Sequence, residues 1–262
     1  MAGVAAALTA SSAWVCALPL AWPLVALAGL ATAAVYGADR LFDAAPADAA
    51  NVPARAAWVA AHRRLLGVQV LLASAGTAAL ALTLPLRTQL ALLVLGGCTG
   101  LYGLRLVPVL RRFLTPIKPL TIGALWAGGS VWIPHVQAGL PLGLDDGAVL
   151  AARALHVVCG CLLFDLRDLA GDAASGERTW AARWGRRGTL GVCWGLVGAA
   201  AALLVLGLGR EAPQRALPDL VTSAAFAALL VRPRVDLRRY CALGVDGALG
   251  LPGLVAWLLS GP

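Results

Sequence analysis

Charge is what this chain has least of. Only 13% of its 262 residues are Asp, Glu, Lys or Arg, against roughly 25% in a soluble globular domain. Lysine is reduced to one residue, Lys118, beside 20 arginines. The three histidines, His62, His135 and His156, are scattered and give no haem or zinc signature. The six cysteines (Cys16, Cys98, Cys159, Cys161, Cys193, Cys241) mostly lie inside apolar runs, where Cys behaves as a small hydrophobe. Disulfides are therefore not the organising device. Cys159 and Cys161 form a C-x-C, but no second pair or matching histidines complete a metal site, so plain packing is the expectation. The first cation is Arg40. The opening apolar stretch thus lacks a basic n-region and is expected to be a retained span rather than a signal peptide.

What fills the chain instead is hydrocarbon. Hydrophobic residues make up 60% and the mean hydropathy is +0.81. Several apolar runs reach the ~20 residues that cross a bilayer. Nine such segments are expected near 3–18, 20–42, 65–84, 88–106, 117–138, 147–165, 188–209, 214–231 and 240–260, broken by Pro, Gly or charge as in "TLPLRTQ" and "GLPLGLDDG". In lipid each backbone must satisfy its own hydrogen bonds, so the expected fold is an all-α multi-pass bundle forming one domain over 1–262.

The net charge of +8 does not point to nucleic acid, because the cations come in short bursts between apolar runs. Seventeen of the 21 lie in the loops after segments two, four, six and eight: Arg40, Arg55, Arg63 and Arg64; Arg105, Arg111, Arg112 and Lys118; Arg167, Arg178, Arg183, Arg186 and Arg187; Arg232, Arg234, Arg238 and Arg239. Arg87, Arg153, Arg210 and Arg215 fall on the other side. The positive-inside bias then places the N-terminus in the cytoplasm, in the cell's inner membrane. The basic loop "RPRVDLRRY" at 232–240 is expected to meet anionic headgroups.

The acids are not scattered. Asp39 and Asp43 end segment two, four residues apart on one helical face, about 6 Å apart along the axis. Asp165, Asp168 and Asp172 end segment six with spacing i, i+3, i+7, again one face if the helix continues. Both clusters fall at cytoplasmic ends, and only Asp246 lies deeper in a span. Carboxylate pairs converging at one depth repel unless a cation joins them. Oxygen-only ligands suit Mg2+, which binds through carboxylates plus substrate phosphates. Arg40, Arg167, Arg178 and the lone Lys118 lie close by, and Lys is a compact phosphate partner. Local pairs such as Arg167–Asp168 are the competing explanation.

The stretch "DLRDLAGDAASGERTWAARWG", 165–185, resembles the second aspartate motif of the UbiA superfamily of intramembrane prenyltransferases, N/D-x-x-D-x-x-x-D followed by G-x-R-T-L-P-V-x-L-G. "DRLFD", 39–43, resembles the second half of that family's first motif, whose leading Asn-Asp falls here on Val35 and Tyr36. "YGLRL", 102–106, followed by Lys118, is similar to its Tyr and Lys region. The resemblance runs from about residue 20 to 260. It implies transfer of an isoprenyl group from an allylic isoprenyl diphosphate to a lipophilic acceptor inside the bilayer. In that reading Asp39, Asp43, Asp165, Asp168 and Asp172 hold Mg2+, and Lys118, Arg40, Arg167 and Arg178 bind the diphosphate. Tyr36, Tyr102, Trp126 and Trp132 line the substrate cavity, where an aromatic wall faces a carbocation. A terpene cyclase of the same superfamily would use the same aspartates without an acceptor. A transporter would instead carry charges near the midplane and broken helices. Pro134 is expected to bend segment five, and His156 to hydrogen-bond across the bundle.

Overall fold

The computed structural model describes residues 1–42, 52–103, 117–175, 179–209, 212–234 and 239–261. Among these the chain is helical with no strand. The helices are α1 (Ala2–Val15), α2 (Trp22–Phe42), α3 (Pro53–Ala61), α4 (Arg63–Leu82) and α5 (Leu86–Gly103). After these come α6 (Lys118–Ala127), a π-helical turn at Gly128–Trp132, and α7 (Ile133–Ala138). Next are α8 (Leu144–Ser175), α9 (Trp180–Leu208), α10 (Pro213–Val231), a second π turn at Tyr240–Val245, and α11 (Asp246–Leu259). Each expected apolar segment coincides with one of these helices or helix–π–helix runs. The additional helix, α3, starts at Pro53, has no buried residue and sits between α2 and α4 where a plain loop was expected.

Among the described residues, five stretches are long and apolar enough to cross a membrane: Trp22–Leu41, Arg63–Leu82, Leu144–Leu169, Trp180–Leu208 and Tyr240–Leu259. Their outer faces match that reading. Leu71, Leu82, Leu206 and Leu243 are each 68–75% exposed, a degree of apolar exposure that suits lipid and is costly in water.

Neighbours in the chain are neighbours in space. α1 packs on α2, α2 on α4, α6 on α8, α8 on α9, α9 on α10, α10 on α11, and α11 closes against α1. The helices therefore form a ring. Small residues let them approach. A Cβ placed on Gly123 of α6 would lie 2.7 Å from the Ala154 carbonyl oxygen and 2.8 Å from Val158 of α8. Backbone cannot yield there as a side-chain tip can. Gly123→Ala is expected to destabilise the protein by about 1–3 kcal/mol in a detergent unfolding experiment. Gly191→Ala, where a Cβ would meet nothing within 4 Å, should be neutral or slightly stabilising.

Two local irregularities matter. Pro134 has no N–H to give the Ser130 carbonyl, and the Ser12 hydroxyl of α1 hydrogen-bonds to that oxygen instead. The expected irregularity at Pro134 thus appears as the preceding π turn. In α9, Gly185 has φ +66° and breaks the helix into two runs. That left-handed conformation suits glycine, and it sits where the motif in 165–185 ends in Gly.

Candidate active site

The long helix α8 positions the first acids. It spans 32 residues, about 48 Å, well beyond a hydrocarbon core of about 30 Å. Asp165 lies 21 residues after Leu144, or about 32 Å along the axis, at the far edge of such a core. The helix continues to Ser175 rather than ending near 165, so Asp165, Asp168 and Asp172 do share one face. On α2, Asp39 lies 17 residues after Trp22, or about 26 Å along.

Polar groups of α2, α6, α8 and α11 lie within electrostatic reach of one another. Tyr36 lies within electrostatic reach of Asp39, Cys161 and Asp246, and the Trp126 indole is within hydrogen-bonding reach of its hydroxyl. Cys161 is within reach of Asp165, Lys118 and Asp246. Asp246 is in turn within reach of Arg40 and Arg167. Tyr36, Asp39, Arg40, Lys118, Trp126, Asp165 and Arg167 therefore belong to one polar neighbourhood. Asp39, Arg40 and Lys118 are exposed, whereas Tyr36, Trp126, Asp165 and Arg167 are half-buried.

Asp246 completes this group. Its Oδ1 is buried with no hydrogen-bond partner among the described residues. Its signal in the sequence was an acid inside the apolar run "GVDGALGLP", but nothing there tied it to the other two clusters.

Asp168 is engaged differently. Arg167 Nε and Nη2 donate to its two carboxylate oxygens at 2.7 and 2.6 Å, while the guanidinium stacks over Phe164, 4.9 Å from the ring centroid. The local pair foreseen as the competing explanation is present, and it fixes Arg167 in place. Asp172, half-buried, lies seven residues past Asp165, about 10 Å further along the helix. Trp132 packs in a different cluster, with Leu24, Leu27 and Ile133, away from Trp126. Asp43 and Arg178 lie outside the described residues, as does the side chain of Tyr102.

The structure corrects two sequence-based placements. Arg153, counted among the cations outside the cytoplasmic loops, is 2% exposed inside α8, paired with the fully buried Asp219 of α10. Asp246 is accordingly not the only acid deep in a helix. All five guanidinium N–H groups are used: Nε and one from Nη2 on Asp219, the others on the Leu8 carbonyl, Ser12 Oγ and Ser11 Oγ, at 2.7–3.0 Å. Beside them His156 Nε2 meets Ser223 Oγ at 2.8 Å, the cross-bundle bond expected of it. A small gap borders this network, lined by Leu8, Arg153, His156, Asp219 and Thr222 among others. It does not touch the acid cluster.

No family model, curated protein or solved structure matches this chain.

Proposed function

We propose that this chain is a multi-pass inner-membrane prenyltransferase of the UbiA type, a single domain with its N-terminus in the cytoplasm. It would move an isoprenyl group from an allylic diphosphate to a lipophilic acceptor. The observation that supports this reading most is that polar side chains of α2 and α8 lie within electrostatic reach of one another, Tyr36 of Cys161 and Cys161 of Asp165. These helices carry the two aspartate motifs, and their polar ends share a neighbourhood with Lys118, Arg40 and Arg167.

The donor set fits Mg2+. It is carboxylate oxygen, which that ion prefers, and Asp246 Oδ1 is buried without a hydrogen bond among the described residues. Asp39 and Asp165 would hold the ion, together with Asp43 from the first motif and Asp246. Asp168 and Asp172 would contribute from the next turns. When bound, Mg2+ neutralises charge on the diphosphate. The protein's own cations act on the same charge: Lys118 and Arg40 from one side, Arg167 from the other, held by Asp168 and Phe164. Stabilising the leaving diphosphate favours scission of the allylic C–O bond. Tyr36 and Trp126 would present aromatic faces to the allylic cation, and the surrounding apolar side chains would keep water from it.

Purified protein supplied with Mg2+ and radiolabelled allylic diphosphates of several chain lengths tests this directly. Prenylated acceptor formed only with Mg2+ is the expected result. A cyclic hydrocarbon made without acceptor would assign the cyclase reading instead. No turnover by folded protein would refute both.

The transporter reading draws on the buried Arg153–Asp219 pair and the two π turns. The pair argues against it: a transport group must exchange partners, and this guanidinium has no donor left over.

A further inference from the structure

At the opposite end of the ring, three side chains remote in sequence come together. Cys16 caps the C-terminus of α1, His135 belongs to α7, and Asp146 lies in the first turn of α8. Their Sγ, imidazole nitrogen and carboxylate oxygen all lie within 4.8 Å of one another. Cys16 is 7% exposed, while His135 and the Asp146 side chain are 2% and 16% exposed.

The hydrogen bond at Nδ1 fixes one side of the ring. His135 Nδ1 is 2.8 Å from the Val131 carbonyl oxygen. A carbonyl only accepts, so Nδ1 carries the hydrogen. Nε2 faces Asp146 Oδ2, 3.1 Å away. Lone pair against carboxylate is repulsive unless a proton or a metal cation lies between them. Asp146 is itself held in place, since the Gly143 N–H donates to the same carboxylate at 3.1 Å.

We propose that Cys16, His135 and Asp146 form a zinc site. Thiolate, imidazole and carboxylate are the ligand types of Zn2+, and a thiolate with an imidazole disfavours Mg2+ or Ca2+. Zinc–nitrogen and zinc–oxygen bonds of about 2.0–2.2 Å at a tetrahedral angle put the two ligand atoms about 3.3–3.5 Å apart, close to the spacing between His135 and Asp146. The Nδ1–H bond to a backbone carbonyl is the usual support of a zinc-bound histidine. With three protein ligands the fourth position falls to water, reached past the partly exposed Asp146. Bound zinc would tie together the ends of α1, α7 and α8.

The test uses the full chain in detergent, stripped with chelator and titrated with Zn2+ and, separately, Co2+. The expected result is one equivalent of zinc per chain, a raised unfolding temperature, and a thiolate-to-Co2+ charge-transfer band. Cys16→Ser should abolish the band, and Cys16→Ser and Asp146→Asn should each weaken zinc about tenfold or more. Cys98→Ser, at an exposed cysteine, should change neither. Should Cys16→Ser fail to fold, the wild-type titration and Asp146→Asn decide. Folded wild type that binds no zinc, or a band that survives Cys16→Ser or vanishes with Cys98→Ser, would overturn the assignment and leave a His135–Asp146 ion pair.

Discussion

Asp39→Asn is expected to lower prenyl transfer by about 100- to 1000-fold or more, with folded protein still in the membrane. The expectation rests on what the substitution leaves alone. Asp39 is exposed at the end of α2, so the amide costs little packing. What it removes is a negative charge beside Tyr36, in the polar neighbourhood that also holds Lys118 and Asp165, where the proposed anionic leaving group has to be held. Losing one well-placed electrostatic contact typically costs 10²–10³ in rate, and losing a metal ligand costs at least that. Asp165→Asn should behave alike. Asp145→Asn, at the opposite end of α8, should keep near wild-type turnover. Steady-state assays at saturating Mg2+ check all three. Wild-type rates in Asp39→Asn and Asp165→Asn together would dismiss the metal assignment.

Arg153→Ala is expected to be the most destabilising single change, costing about 3–5 kcal/mol. Truncation strands Asp219, which is 0% exposed, as an uncompensated charge among Leu8, Thr222 and Leu249. It also strips partners from Ser11, Ser12 and the Leu8 carbonyl, so α1, α8 and α10 lose their common tie. The double replacement Arg153→Met with Asp219→Leu should recover most of the loss, because removing both members of a buried pair is often close to neutral. Equilibrium unfolding in detergent micelles separates these outcomes. A single variant as stable as wild type would show that the pair is not the knot described here.

The sequence made the apolar segments legible because a membrane demands about 20 apolar residues per crossing, a constraint that composition alone exposes. The i, i+3, i+7 spacing of Asp165, Asp168 and Asp172 was equally plain. That α8 carries them past the apolar run to Ser175 was not, since hydropathy falls where the charges begin. The buried groups were harder still. Arg153 and Asp219 lie 66 residues apart, and each stood near a predicted helix end, where a charge is ordinary. Cys16 and His135 looked like packing residues because their only companions come from distant helices. Pairings of this kind are set by the closing of the ring, not by any local pattern. Asp246 stands between these cases: its place in an apolar run was visible, its neighbours were not.

Central to everything above is that acids from α2 and α8 grip one magnesium-bound diphosphate. Equilibrium binding of an allylic thiolodiphosphate, which ionises too slowly to turn over, addresses that with the least chemistry in the way. Saturable binding that requires Mg2+, disappears with chelator and fails in Asp39→Asn and in Asp165→Asn is the expected result. Undiminished binding without Mg2+ or in both variants, or no binding to folded wild-type protein, would contradict it.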